Sequence, residues 1–298
     1  DDGSTDLSGK IIDEISATDK RIKVHHLQNS GVANARNYGI KCANGVYLAF
    51  ADSDDLMSPY FVEDAVEAIK NADYVSAAFQ TISEKTGLNI IDYMVDWGDI
   101  VTSNDYLREM IKYQAGAYWG ANWGKLYITD IVKKNNIQFE QGVNFAEDFR
   151  FNLEYLMNVK TIAVLHHPEY YYRIDTAGSL SKKSREPLIY WEEYKELCNR
   201  YIKLYNYHGI LEKERQGISK LLIGAYVSVL RECACDGKMK IKDIKNFCWN
   251  LDRDRSVQDA AKMCSLLSGK IGIYSKLIAK KRGKWIAVAL KISKIIKR

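Results

Sequence analysis

Residues 47–55 read Tyr47-Leu48-Ala49-Phe50-Ala51-Asp52-Ser53-Asp54-Asp55. A short apolar run delivers carboxylates two residues apart. In extended chain the side chains i and i+2 point the same way. Asp52 and Asp54 can then converge on one hard cation with oxygen ligands, Mg²⁺ or Mn²⁺, which in turn bridges phosphate oxygens. A second reading stays open, a solvated acidic turn ahead of Ser58-Pro59, an N-cap and N1 pair that opens a helix as far as Ala68.

Working outward, the first half alternates. Helical spacing over 7–16 gives way to a β-like run over 21–27. A helix is expected over 32–43, with Asn44-Gly45 closing it. Strands are expected over 46–51 and 74–82, on either side of the Ser58-Pro59 helix. That order predicts a mostly parallel sheet with crossover helices, in which ligands sit at the carboxyl ends of strands. Asp1/Asp2 and Asp52/Asp54/Asp55 both fall at such ends. Further on, helices are expected over 105–113, 129–135 and 146–159, and strands over 161–165 and 170–173. Beyond Pro187 only helical patterns remain, over 188–207, 211–235, 241–250, 257–267 and 271–297. The expected division is 1–181 and 182–298.

Composition excludes several classes. The chain has 298 residues, 47% hydrophobic and 27% charged, with 19 Gly and 3 Pro, which rules out disordered and collagen-like chains. Its six Cys are scattered with no CxxC pair, which reads as reduced thiols in a cytoplasmic setting. Five His, four of them in two adjacent pairs, make no zinc pattern. No apolar run approaches the length of a transmembrane helix. No GxGxxG is present, and the spacing Gly120-x₃-Gly124-Lys125-Leu126 fails the P-loop pattern. Charge is uneven: 268–298 hold ten Lys/Arg and no acid, leaving the rest at a net of −5. An acidic body with a basic tail points to an anionic partner for the tail.

The ordered segments Asp1-Asp2-Gly3-Ser4-Thr5-Asp6, 29–37 (Asn-Ser-Gly-Val-Ala-Asn-Ala-Arg-Asn) and 44–55 resemble those of the inverting family-2 glycosyltransferases. Ala121-Asn122-Trp123-Gly124-Lys125-Leu126-Tyr127 is similar to that family's Trp-x-Lys-Leu-Tyr segment. Ala146-Glu147-Asp148-Phe149 is similar to its Glu-Asp motif at a helix start. Tyr170-Tyr171-Tyr172-Arg173 with Ser179-Leu180-Ser181 is similar to its closing strand and acceptor loop. The resemblance covers 1–181 and implies an α/β GT-A fold, a mixed sheet with flanking helices, followed here by an all-helical region. Family members begin with an apolar strand and helix ahead of the Asp-Asp-Gly-Ser loop. The chain opens at that loop, so an N-terminally truncated domain with impaired donor binding is expected.

The resemblance also implies roles. Asp2 is the acid for the uracil or ribose of a UDP-sugar, Asn29 and Arg36 contact nucleotide and diphosphate, and Asp52 lies on the ribose and metal side. Asp54 is the direct ligand of a Mn²⁺ or Mg²⁺ ion, and Asp148 is the catalytic base. Acceptor or phosphate contacts are expected from Trp123, Lys125, Glu147, Arg173, Ser179 and Ser181. The chemistry suits these residue types. A departing diphosphate gathers negative charge, which an Arg and a cation offset, and an attacking hydroxyl needs a carboxylate to take its proton. One base on the acceptor side gives inversion. Structural readings stay open beside these: Arg36 pairing with nearby carboxylates, Glu147-Asp148 answering a helix dipole, Trp119 and Trp123 packed in the core.

The function expected is transfer of a sugar from a UDP-sugar or similar donor to a hydroxyl on a surface glycan or lipid-linked acceptor. Alternatives are a catalytically impaired scaffold that binds membrane or polyanion, and a nucleotidyltransferase. In the tail, Trp285, Val288, Ala289, Ile292, Ile295 and Ile296 share one helical face, with Lys284, Lys291, Lys294, Lys297 and Arg298 opposite and Ile286 and Leu290 at the boundary. That pattern suits a helix in the interface of an anionic membrane, so 268–298 are expected to hold the protein on the inner face of the cell membrane. With an acidic body and no base-reading motif, no nucleic-acid partner is expected.

Overall fold

A computed structural model describes residues 1–83, 85–92, 98–113, 116–143, 145–174, 186–235 and 241–296. In chain order the elements are α1 (Ser8–Thr18), α2 (Val32–Cys42), β1 (Tyr47–Leu48), β2 (Leu56–Met57), α3 (Phe61–Ala68), β3 (Tyr74–Ser83), β4 (Leu88–Asp92) and β5 (Ile100–Thr102). There follow α4 (Ser103–Lys112), α5 (Ala117–Gly120), β6 (Lys125–Ile128), α6 (Thr129–Lys134), α7 (Glu147–Leu156) and β7 (Thr161–Arg173). The remainder is helical: α8 (Pro187–Tyr207), α9 (Leu211–Cys235), α10 (Ile241–Leu251), α11 (Arg255–Cys264), α12 (Gly269–Ala279) and α13 (Lys284–Ile296).

The chain divides into two compact units, Asp1–Thr102 with Ala117–Asp175, and Ser103–Gly116 with Thr176–Arg298. The first unit is built on one sheet with the path β1-β6-β3-β7-β2, to which β4 adds beside β3 and β5 beside β7. β3 is its spine. Tyr74, Val75, Ser76, Ala77, Ala78 and Phe79 are all buried, because both faces of the strand are covered. On one face Val75 and Ala77 pack with Phe61, Ala65 and Ile69. On the other, Tyr74 meets the rings of Tyr127 and Tyr155.

The sheet differs from the mostly parallel one that the alternation predicts. Only β3 and β7 pair in parallel among the named strands; β1–β6, β3–β6, β3–β4, β2–β7 and β5–β7 are antiparallel. The strands expected over 161–165 and 170–173 are one strand, β7, with register shifts against β3 around Ala78. The β-like run over 21–27 forms no strand. Its ladder is limited to Asp1, whose amine donates to the His25 carbonyl (3.0 Å) and whose carbonyl accepts from Leu27 N–H (2.9 Å). α3 runs from Phe61, and Ser58 caps the turn that leads into it: its hydroxyl accepts from the Tyr60 N–H and its carbonyl from the Phe61 N–H, each at 3.2 Å.

The second unit gathers around α9. Ile218, Leu222, Ile223, Ala225, Tyr226, Val229, Leu230 and Cys233 are buried around its circumference, as expected of a helix enclosed by neighbours. α4, which the sequence division at 181/182 assigns to the first domain, belongs here: the Tyr205 hydroxyl donates to the Leu107 carbonyl, and Ile111 lies against Gly217. The helix expected over 271–297 is broken into α12 and α13. Lys281 is left-handed (φ 55°), and Gly283 passes so close to Tyr226 and Asp252 that no side chain fits there; its N–H donates to Asp252 Oδ2 (2.9 Å). Cys198, Cys233, Cys248 and Cys264 are buried.

Candidate active site

α2 carries the cation of the site. Asp2 fixes the start of this helix: its two oxygens accept from the N–H groups of Ser30 and Gly31, each at 2.9 Å. Gly31 there has φ 96°, a conformation that suits glycine. One turn on, Arg36 reaches into a cluster of acids. Its Nη2 donates to Asp52 Oδ1 (2.8 Å), its Nη1 donates to Asp148 Oδ1, and Glu147 Oε1 lies 3.6 Å from Nη1. The guanidinium lies over the Phe139 ring, 5.2 Å from its centre. Asn37, next along α2, holds Phe139 in place by exchanging two 2.8 Å hydrogen bonds with its backbone. Burial works against the charge of Arg36, but Asp148 and Asp52, with Glu147, outweigh it and hold the guanidinium above its ordinary value.

α7 presents the acids. Ala146 precedes it in a left-handed conformation (φ 56°), which costs a non-glycine residue about 1–2 kcal/mol. Glu147 and Asp148 fill the first turn, where the helix dipole favours negative charge. Asn152 anchors the helix by donating to the Gly120 and Ala121 carbonyls. The Asp148 side chain keeps 22% of its surface exposed, enough to meet a substrate. Burial pushes its carboxyl above the ordinary carboxylate range, and Arg36 pulls it back. Lys125 on β6 is fully buried; its Nζ donates to the Tyr118 carbonyl (2.6 Å), and burial lowers its pKa to about 7 against the attraction of Asp148.

The acidic stretch that decides the fold is a turn rather than an extended strand end. β1 stops at Leu48, and the Asp55 N–H bonds back to the Asp52 carbonyl (3.1 Å). The three carboxylates have separate surroundings. Asp52 spends one oxygen on Arg36. Asp55 spends both, accepting from Arg173 N–H on Oδ1 and from the Tyr170 hydroxyl on Oδ2, each at 2.9 Å. Asp54 is half-buried and makes no hydrogen bond or ion pair among the described residues. No group of three His, Cys, Asp or Glu able to hold a metal exists among the described residues. One free carboxylate plus the second oxygen of Asp52 still suits Mg²⁺ or Mn²⁺, which proteins often hold by one or two carboxylates with phosphates completing the shell.

The structure thus brings together Arg36, Asp52, Glu147 and Asp148. Asp2 acts on the start of α2, and Asn29 is exposed. Trp123 is buried, stacked on Tyr170 with ring centres 4.5 Å apart, and Trp119 is buried as well. Neither indole offers a face to a sugar, so core packing replaces the stacking role. Lys125 is likewise enclosed. Arg173 is half-buried, with its backbone bound to Asp55. Ser179 and Ser181 lie outside the described residues. Sequence reading did not single out Phe139, Asn37 or the Tyr170 hydroxyl. For Tyr170 the only signal was the run Tyr170-Tyr171-Tyr172-Arg173, which does not say which ring turns inward.

Residues 1–146 match the profile of glycosyl transferase family 2. The chain is 26% identical over 248 residues to the uncharacterized glycosyltransferase EpsJ of Bacillus subtilis, covering 82% of this chain and 71% of EpsJ. It spans 54% and 56% of two further relatives. The teichoic acid poly(glycerol phosphate) polymerase of Staphylococcus epidermidis is 28% identical over 57% of this chain and 23% of its own length. Among solved structures, S. aureus TarS 1–349 in complex with UDP-GlcNAc superposes with a TM-score of 0.70 at 20% identity, over 100% of this chain and 82% of that one. At that identity the likeness speaks for the fold. Residues 1–146 thus form a glycosyl transferase family 2 domain, and the chain is a glycosyltransferase of GT-A fold.

Proposed function

We propose that the protein transfers a sugar, with inversion, from a UDP-sugar to a hydroxyl of a glycan or lipid-linked acceptor in cell-surface polysaccharide synthesis. One observation carries this reading: Asp148 sits partly exposed at the start of α7 and faces the guanidinium that also holds Asp52. In this reading Asp148 serves the acceptor face of the sugar and Arg36 the leaving diphosphate on the opposite face, as inversion requires. Arg36, with N–H donors left beyond those held by Asp52 and Asp148, offers its charge to the leaving diphosphate. Asp148 takes the proton of the attacking hydroxyl, with Glu147 beside it on the acceptor side. Asp54 and the second oxygen of Asp52 would hold Mn²⁺ or Mg²⁺, which supplies neutralisation of diphosphate charge when bound. The TarS complex with UDP-GlcNAc supports a uridine donor, and the likeness to a teichoic acid polymerase supports a cell-surface polymer as the product.

The helical unit adds a membrane contact through 268–298. No helix among the described residues is long and apolar enough to cross a membrane. α13 packs through Ile286, Ala287 and Leu290, while Trp285 (54%) and Val288 (44%) stay exposed next to Lys284. Ile286 and Leu290, placed at the boundary in the sequence, thus belong to the buried face, and the described part of the Trp-bearing face, Trp285, Val288 and Ala289, is open. The deciding experiment is a panel of UDP-sugars scored for UDP release with Mn²⁺ and with EDTA. Release from one donor that EDTA abolishes supports the transferase; no release from any donor favours the scaffold.

A further inference from the structure

Tyr170 is fully buried, yet its one polar atom makes two bonds to the acidic turn. Its hydroxyl donates to Asp55 Oδ2 (2.9 Å) and accepts from the Asp52 N–H (3.0 Å). Asp55 closes the loop by accepting from the Arg173 N–H (2.9 Å), and β2, directly after the turn, pairs with β7 at Tyr170 and Tyr171. The ring itself cannot shift easily. It stacks within 5° of parallel on Trp123, and Gly124, with φ 63°, lies against its Cβ. A turn that would otherwise hang between the short strands β1 and β2 is thereby pinned at both of its ends to the longest strand of the sheet.

We propose that Tyr170 and Asp55 are positioning residues that latch the acidic turn and hold Asp52 and Asp54 ready for a cation and diphosphate, with Asp55 itself not a ligand. The proposal rests on the donor-binding reading above only for its ligand arm. An unlatched turn would have to be ordered by the incoming cation, and that ordering entropy would weaken binding. Each Asp55 oxygen already accepts a hydrogen bond, whereas neither Asp54 oxygen has a partner among the described residues. The latch therefore divides the labour among three adjacent carboxylates: one faces the sheet, one faces the cation, one is shared with Arg36.

The test uses Tyr170→Phe, which keeps the stacked ring and removes the hydroxyl, with Asp55→Ala as the second variant in the full chain. UDP affinity is measured by calorimetry with Mn²⁺ and with EDTA, and hydrogen exchange is followed over residues 52–57. Tyr170→Phe is expected to weaken binding of UDP with Mn²⁺ about tenfold, the usual scale for losing a hydrogen bond to a charged group. UDP binding in EDTA should change less than about twofold, and exchange over 52–57 should accelerate while β3 stays protected. A merely structural role would lower the melting temperature and leave the Mn²⁺ enhancement intact. Wild-type Mn²⁺ enhancement and wild-type exchange in Tyr170→Phe overturn the latch. So does loss of Mn²⁺ enhancement in Asp55→Ala with none in Tyr170→Phe, which would make Asp55 a ligand. A wild-type chain that binds no UDP removes the donor reading, and the exchange measurement then decides the latch alone.

Discussion

Arg36 and Asp148 form an ion pair across the site, Nη1 to Oδ1, while the same guanidinium holds Asp52 through Nη2. Three carboxylates therefore share one cation. Arg36→Gln leaves Asp52, Glu147 and Asp148 facing one another without it. Transfer is expected to fall about 10²–10³-fold, the scale for removing one charge-stabilising donor. The pH profile gives a sharper check. As the proposed base, Asp148 acts deprotonated, so kcat/KM is expected to fall as the pH falls through its pKa. Burial raises that pKa and Arg36 lowers it, so Arg36→Gln moves the acid limb to higher pH. A limb that stays in place or moves down contradicts the pairing.

Asp148→Asn keeps shape and hydrogen bonding but cannot accept a proton. It is expected to bind UDP-sugar as before and to lose transfer by about 10²–10⁴-fold. The wild-type product is expected to carry the anomeric configuration opposite to that of the donor. NMR of the product settles the second point: retained configuration contradicts a single-base displacement.

Asp54, with both oxygens free of protein partners among the described residues, is the residue whose loss is expected to fall on the proposed cation. Asp54→Asn is expected to weaken Mn²⁺ and UDP binding together, and excess EDTA to abolish turnover by the wild type. Turnover that survives chelation would remove the metal role.

Much of this was legible in the sequence because it depends on local order. Asp148 at a helix start, Asp52 after an apolar run and the switch to helices after Pro187 are short-range signals, and α9 was read to the residue. The mostly parallel sheet was not legible, since alternation of helix and strand leaves the partner of each strand open. β6 joins β1 and β3 antiparallel through contacts between residues about fifty to eighty apart. The burial of Trp123 and Lys125 was equally hidden, because a motif records residue types and not the neighbours that enclose them. The break at 280–283 turns on Gly283 fitting against Tyr226, more than fifty residues away.

Lys125 makes its own pH signature in stability. Its pKa falls from 10.5 to about 7 in the folded chain because it is buried. Between those values the unfolded chain holds one more proton, so this residue makes stability rise with pH, by up to about 1.4 kcal/mol per unit. Lys125→Met removes the ammonium and keeps much of the volume. Its melting temperature is expected to climb less than that of the wild type between pH 7 and pH 9. Parallel curves for the two proteins would show that Lys125 keeps its proton in the fold.

The tail prediction changes form once α13 is seen in place. Ile278 and Ile286 are fully buried, so removing 268–298 would open the helical unit and confuse unfolding with loss of membrane contact. Substitutions on the open face avoid that. Trp285 and Val288 are exposed apolar groups, and Lys280, Lys281, Arg282 and Lys284 are exposed cations close to them in the chain, with no acid in the segment. Each cation near an anionic leaflet adds about 1 kcal/mol, and an interfacial Trp adds apolar area to that attraction. The wild type is expected to sediment with vesicles containing anionic lipid, to release as salt rises, and to ignore neutral vesicles. Replacing Lys280, Lys281 and Arg282 by Ser should weaken binding by about two orders of magnitude at low salt. Trp285→Ser should weaken it further without changing the salt dependence, because an apolar contact is not screened. Equal and negligible binding of wild type and variants would assign the open face to a protein neighbour instead.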